Sequence, residues 1–158
     1  MVELDGNLRV HDAFRAGAVH VGSERAPLLV VDNFLSDPQV LIDYAANLGR
    51  FAPETETETK YPRVRALLPE IYSLAVRAFL GVIIAEVFKL RASQAEGVRS
   101  CFSLVTACPE QLEPRQRILR FDHADERQLA VLHYLSPTAR GGTGFYRLTA
   151  NPFLRFAG

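Results

Sequence analysis

The sequence predicts an α+β domain, and three observations carry that expectation. Apolar residues recur at helical spacing in two stretches of the first half. One is Val40, Leu41, Tyr44, Ala45 and Leu48; the other is Ile71, Leu74, Ala75, Ala78, Phe79, Val82 and Ile83. From Val98 the character changes to β-prone runs separated by tight turns. Helices first and strands afterwards suit helices that brace one side of a sheet or open barrel. With 158 residues, a single domain is expected over 1–158, helical across about 36–90 and β-rich across about 98–150.

Taken in order, residues 8–21 are mixed. His11 and His20 have no close acidic or cysteine partner in sequence and read as surface or turn histidines. Leu28-Leu29-Val30-Val31-Asp32, bounded by Pro27 and Asn33, reads as a buried strand. Ser36-Asp37-Pro38 is a helix start: Ser36 or Asp37 can cap, and Pro38 suits the first helical position, where its missing N–H is no loss. Gly49 is expected to supply a left-handed stop. The alternation Glu54-Thr55-Glu56-Thr57-Glu58-Thr59 has no apolar face and reads as a solvated loop. Arg63 and Arg65 either balance those glutamates or face a carboxylate.

Pro69-Glu70 opens the second helix, whose stripe from Ile71 to Ile83 is expected to face the core, with Gly81 weakening its middle. Cys101-Phe102-Ser103-Leu104-Val105-Thr106 is a strand, and residues 109–114 are a loop. Arg117-Ile118-Leu119-Arg120-Phe121 leads as a strand into His123. The apolar run Leu129-Ala130-Val131-Leu132-His133-Tyr134-Leu135 is another. Gly141-Gly142-Thr143-Gly144 has no following lysine or helix start, so a tight turn is expected there rather than a phosphate loop.

Composition excludes several function classes. Lys+Arg and Asp+Glu both number 18, so no basic excess favours nucleic acid. Hydrophobic residues make up 48% and charged residues 23%, as in soluble globular chains. The apolar run 78–87 is too short for a membrane span and is interrupted by Glu86. Cys101 and Cys108 form no Cys-x-x-Cys pair and read as free thiols in a reducing cytoplasm. The opening residues lack the basic and apolar regions of a signal peptide.

The chemistry-bearing stretch is His123-x-Asp125. In a strand, residues two apart share a face, so an imidazole and a carboxylate there can converge on one metal ion. Two such ligands form part of the two-histidine, one-carboxylate arrangement that leaves open positions on Fe(II). A polar turn between two strands is the competing reading. His133 lies within the apolar run and reads as a core or lumen histidine.

His123-x-Asp125, the strand ending in Tyr134-Leu135, and Gly141-Gly142-Thr143-Gly144-Phe145-Tyr146-Arg147 together resemble the iron(II)/2-oxoglutarate dioxygenases of the prolyl-hydroxylase-like kind. The last segment looks closest to a bacterial family of uncharacterised proteins with a Gly-Gly-Thr-x-Phe-Tyr-Arg motif. The resemblance implies N-terminal helices packed on a double-stranded β-helix (jelly-roll) core, complete or cut short. It implies His123 and Asp125 as metal ligands, Fe(II) and 2-oxoglutarate as cofactors, and oxidative hydroxylation of a small molecule or side chain. A third ligand has to come from His11, His20, His133 or a partner chain, because the family's later histidine and arginine region has no counterpart before Gly158. The alternative is a non-catalytic, truncated relative acting as a binding or assembly module. A jelly roll that stops early exposes strand edges, so a homodimer through such an edge is expected, with the apolar segment Phe153-Leu154-Arg155-Phe156 available for it.

Overall fold

The structure, a computed structural model, describes residues 8–53, 63–90, 100–116, 128–136 and 142–145. Within them the chain is mixed α+β: two helices and two antiparallel sheets, with no closed barrel. The acid–threonine alternation at 54–59, the expected strand at 117–121, and the segment 153–156 lie outside the described residues.

Strands β1 (Arg15–Val21) and β2 (Ala26–Asp32) form an antiparallel hairpin in which Arg15 faces Asp32 and Val21 faces Ala26. Gly22, at φ +70°, opens the turn, and the Arg25 N–H closes it on the Gly22 carbonyl. The expected strand is therefore present, but as half of a mostly exposed hairpin; Leu28, Leu29 and Val31 are only half-buried. Asn33 then turns the chain in the left-handed region, its amide donating to the Ala13 carbonyl at 3.1 Å. Residues 9–11 run back along 34–36, which buries Phe34 and Leu35.

Helix α1 (Gln39–Leu48) starts as the sequence predicts. The Asp37 carboxylate accepts the Gln39 N–H at 3.0 Å, with Pro38 between them. Leu41, 1% exposed, is its anchor, and Tyr44 stacks on Phe102. The stop differs from expectation. Gly49 caps the helix by donating its N–H to the Ala45 carbonyl, but at φ −65°, an ordinary extended conformation. Glycine is required there by space. A Cβ would collide with the Ala45 carbonyl oxygen and lie 2.8 Å from Cε2 of Phe51.

A three-stranded sheet joins the two halves of the chain. Its order is β3 (Ala52–Pro53), β4 (Arg63–Leu67), β5 (Cys101–Val105), all antiparallel. Strands thus precede and separate the helices as well as following them. Ala66 and Phe102, opposite one another, are buried on the inner face; Arg63, Arg65 and Leu67 point to the other.

Helix α2 (Glu70–Val87) runs between β4 and β5 without a break at Gly81. Its buried side is set by Tyr72 and Leu80, with Ala75, Val76, Ile83 and Ile84 packed around them. The expected core stripe is one residue out of phase, since Leu74, Phe79 and Val82 are exposed, Val82 by 77%. The helix ends on Lys89 at φ +55°, with the Leu90 N–H reaching the Ala85 carbonyl at 2.9 Å. This is a left-handed cap made without glycine. Two short 3₁₀ turns follow β5, at Pro109–Gln111 and Pro114–Gln116. No strand is assigned among the described residues 128–136 and 142–145.

Candidate functional site

Two part-buried side-chain pairs tie distant segments together among the described residues: the Ser73 and Ser100 hydroxyls, 2.7 Å apart, and Tyr72 with His133, which reaches the core. Tyr72 on α2 and His133, 61 residues later, meet with the phenol oxygen 2.9 Å from Nδ1 of the imidazole. The rings lie nearly parallel, 16° apart with centroids at 5.9 Å, and Phe34 meets the imidazole edge-on at 5.8 Å. Tyr72 is 7% exposed and His133 half-buried.

Burial sets the electrostatics of this pair. It disfavours the phenolate and pushes the Tyr72 pKa up to about 12; it disfavours the imidazolium and lowers that of His133. The pair is therefore neutral near pH 7. In the tautomer that carries its hydrogen on Nε2, Nδ1 accepts the phenol O–H and gives the buried hydroxyl an acceptor. The expectation of a core histidine holds. Its partner is not named by the sequence, which carries only two general signals. Tyr72, Val76 and Leu80 follow helical spacing, and a tyrosine on a buried face needs a partner for its hydroxyl.

A second contact lies in the motif region. The hydroxyls of Tyr134 and Thr143 are 2.5 Å apart, which joins the segment ending in Leu135 to the glycine-rich one. Leu135 packs against the core, while Val131, Leu132, Tyr134 and Phe145 are each more than half exposed. His123 and Asp125 lie outside the described residues, as do Gly141, Tyr146 and Arg147.

The other candidates are spread out. Nδ1 of half-buried His11 accepts the Ala13 N–H at 2.9 Å, and His20 is exposed on β1. Arg63 and Arg65 share one face of β4, both half-buried, and each has an interaction partner. Cys101 and Cys108 are free thiols, the first half-buried and the second exposed. Among the described residues, no three His, Cys, Asp or Glu side chains gather as a metal site. A shallow apolar depression is lined by Leu8, Ile71, Leu74, Ala75, Ala78 and Phe79.

Comparison with known proteins gives one finding. A family of unknown function, DUF6445, matches residues 12–157, nearly the whole chain. The chain belongs to that family. No curated protein and no solved structure matches it. The DUF6445 match takes in Tyr72, His133 and the whole stretch from His123 to Arg147, so the buried pair and the motif belong to one family unit. No helix among the described residues is long and apolar enough to cross a membrane.

Proposed function

We propose that this DUF6445 protein is iron(II)/2-oxoglutarate dioxygenase-like and hydroxylates a small molecule or a side chain. His123 and Asp125 serve as its metal ligands, on a jelly-roll core of which the described sheets are part. The observation that carries this reading is the order of three segments: His123-x-Asp125, the run ending in Tyr134-Leu135, and Gly141-Gly142-Thr143-Gly144-Phe145-Tyr146-Arg147. The Tyr134–Thr143 hydrogen bond supports it by drawing the second and third segments together.

The donor types suit the ion. A neutral imidazole and an ionised carboxylate are hard-to-borderline ligands that leave positions open for further oxygen donors. Iron(II) with 2-oxoglutarate supplies the oxidising power for hydroxylating a C–H bond. The chain's own task is to hold the ion, to orient the substrate beside it and to keep Asp125 ionised. A further histidine completes the ligand set.

A second reading, a non-catalytic binding or assembly module, draws on the exposed apolar residues Val131, Leu132, Tyr134 and Phe145. In this reading two copies pair across that surface, with no role for nucleic acid or membrane.

One experiment separates the two. Fe(II) is titrated without oxygen in the presence of 2-oxoglutarate, and the visible charge-transfer absorption is followed in the parent protein and in His123→Ala. A band that His123→Ala abolishes supports the dioxygenase reading. A folded protein without any band overturns it. A dimer in sedimentation that strengthens with concentration then supports the assembly reading, and a strict monomer sinks that one as well.

A further inference from the structure

Residues 128–136 are joined to the N-terminal half by side chains drawn from three places. Tyr72 comes from α2, Phe34 from the connector ahead of α1, and His133 and Leu135 from the segment itself. At their centre is the one ring that changes charge in the physiological range. We propose that the Tyr72–His133 pair is an acid-sensitive clasp that fastens residues 128–136 onto α2, closed when His133 is neutral and open when it is protonated.

The geometry supplies the switch. In the closed form the phenol donates to Nδ1, so the single polar atom that Tyr72 carries into the core has its partner. A proton on Nδ1 reverses the bond. The phenol oxygen then accepts, and its own hydrogen, in a site 7% exposed, must find another acceptor. The same proton places a cation between Phe34 and the Tyr72 ring. What faces the imidazole from the connector is Phe34, and the acids of that stretch, Asp32 and Asp37, are exposed. What faces it from α2 is Tyr72, with apolar Ala75 and Val76 one turn on, while Glu70 and Arg77 are exposed. On its own segment, the flanking Leu132 and Tyr134 are exposed. None of these carboxylates is buried against the ring to offset the charge.

Linkage gives the sign. Burial lowers the His133 pKa, and opening restores the ordinary value. The open state therefore binds the proton more tightly, and falling pH favours opening. This clasp does not rest on the iron reading, since neither His123 nor Asp125 takes part in it.

The test is hydrogen exchange with mass-spectrometric readout on the full chain, corrected for intrinsic rate, at about pH 7.5 and about pH 5.5, either side of the ordinary histidine range. Peptides covering 128–136 are expected to exchange faster at the lower pH, as a folded-state pKa below the open-state one requires. Peptides from the β1–β2 hairpin are expected to be unchanged. His133→Phe keeps the ring in place and is expected to abolish the pH dependence; His133→Gln, a second neutral variant, is expected to do the same. Equal corrected exchange at both pH values in the parent protein overturns the clasp. So does a pH dependence that survives in both variants.

Discussion

The two helices end in opposite ways. Helix α1 stops at a glycine that adopts no glycine conformation, because Gly49 sits at φ −65° under the Ala45 carbonyl and beside Phe51. Helix α2 stops at Lys89, which takes the left-handed conformation usually left to glycine. Their interiors differ in the same sense. Helix α1 hangs on one fully buried residue, Leu41; α2 is apolar on most sides and leaves Leu74, Phe79 and Val82 in solvent. A glycine in a sequence therefore reports either a conformation or a lack of room, and the two make opposite predictions on substitution.

The largest expected effect tests the anchor of α1. Leu41→Ala removes a side chain that is 1% exposed and should lower stability by about 3 kcal/mol. A urea midpoint shift at unchanged slope is the measurement. A loss below about 1 kcal/mol would mean that the site collapses freely and that Leu41 is no anchor. Gly49→Ala comes next. The added Cβ meets the Ala45 carbonyl, and the cost should be about 2 kcal/mol, in the range of overpacked sites. If Gly49→Ala is neutral in thermal melts, the steric account of the α1 stop is wrong.

The α2 substitutions should run the other way. Gly81 lies inside the helix with nothing within 4 Å of a built Cβ, so Gly81→Ala should raise stability by about 1 kcal/mol. Lys89→Gly relieves a left-handed lysine and should add about 0.5 kcal/mol, visible as a small rise in melting temperature. A destabilised Lys89→Gly would show that the lysine side chain contributes more there than its backbone costs.

The same contrast explains what the sequence discloses. The start of α1 is legible because Asp37, Pro38 and the apolar spacing agree on one answer, and the structure has that cap. The rotation of α2 is not legible. Ile71, Leu74 and Ala78 make as good a stripe as Tyr72, Val76 and Leu80, and tertiary packing alone chooses between them. Strand β1 escaped notice because Arg15–Val21 carries alanine, glycine, arginine and histidine, and its strand character comes from pairing with β2. The mixed α+β class was readable from periodicity, whereas the order of elements was not, because β4 and β5 pair across an intervening helix. At the site, the apolar neighbours of His133 marked it as a core residue, and nothing local marked Tyr72 as its partner. His123-x-Asp125 remains a statement of the sequence, tied to this family by the matched range.

The β4–β5 pairing also sets a timetable. The β1–β2 hairpin closes through a four-residue turn, so its ladder is complete once Asp32 has been made. The three-stranded sheet waits for Cys101 to return to Leu67 after the whole of α2 has been synthesised. Until then Ala66 has no Phe102 opposite it, and the apolar sides of α2 lack the finished sheet. A chain emerging from the ribosome therefore passes through a stage with a closed hairpin and an uncovered helix, the stage at which a holding chaperone has most to grip. Pulse labelling during refolding should find hairpin amides protected before those of β4, and simultaneous protection would show that the two sheets form as one unit.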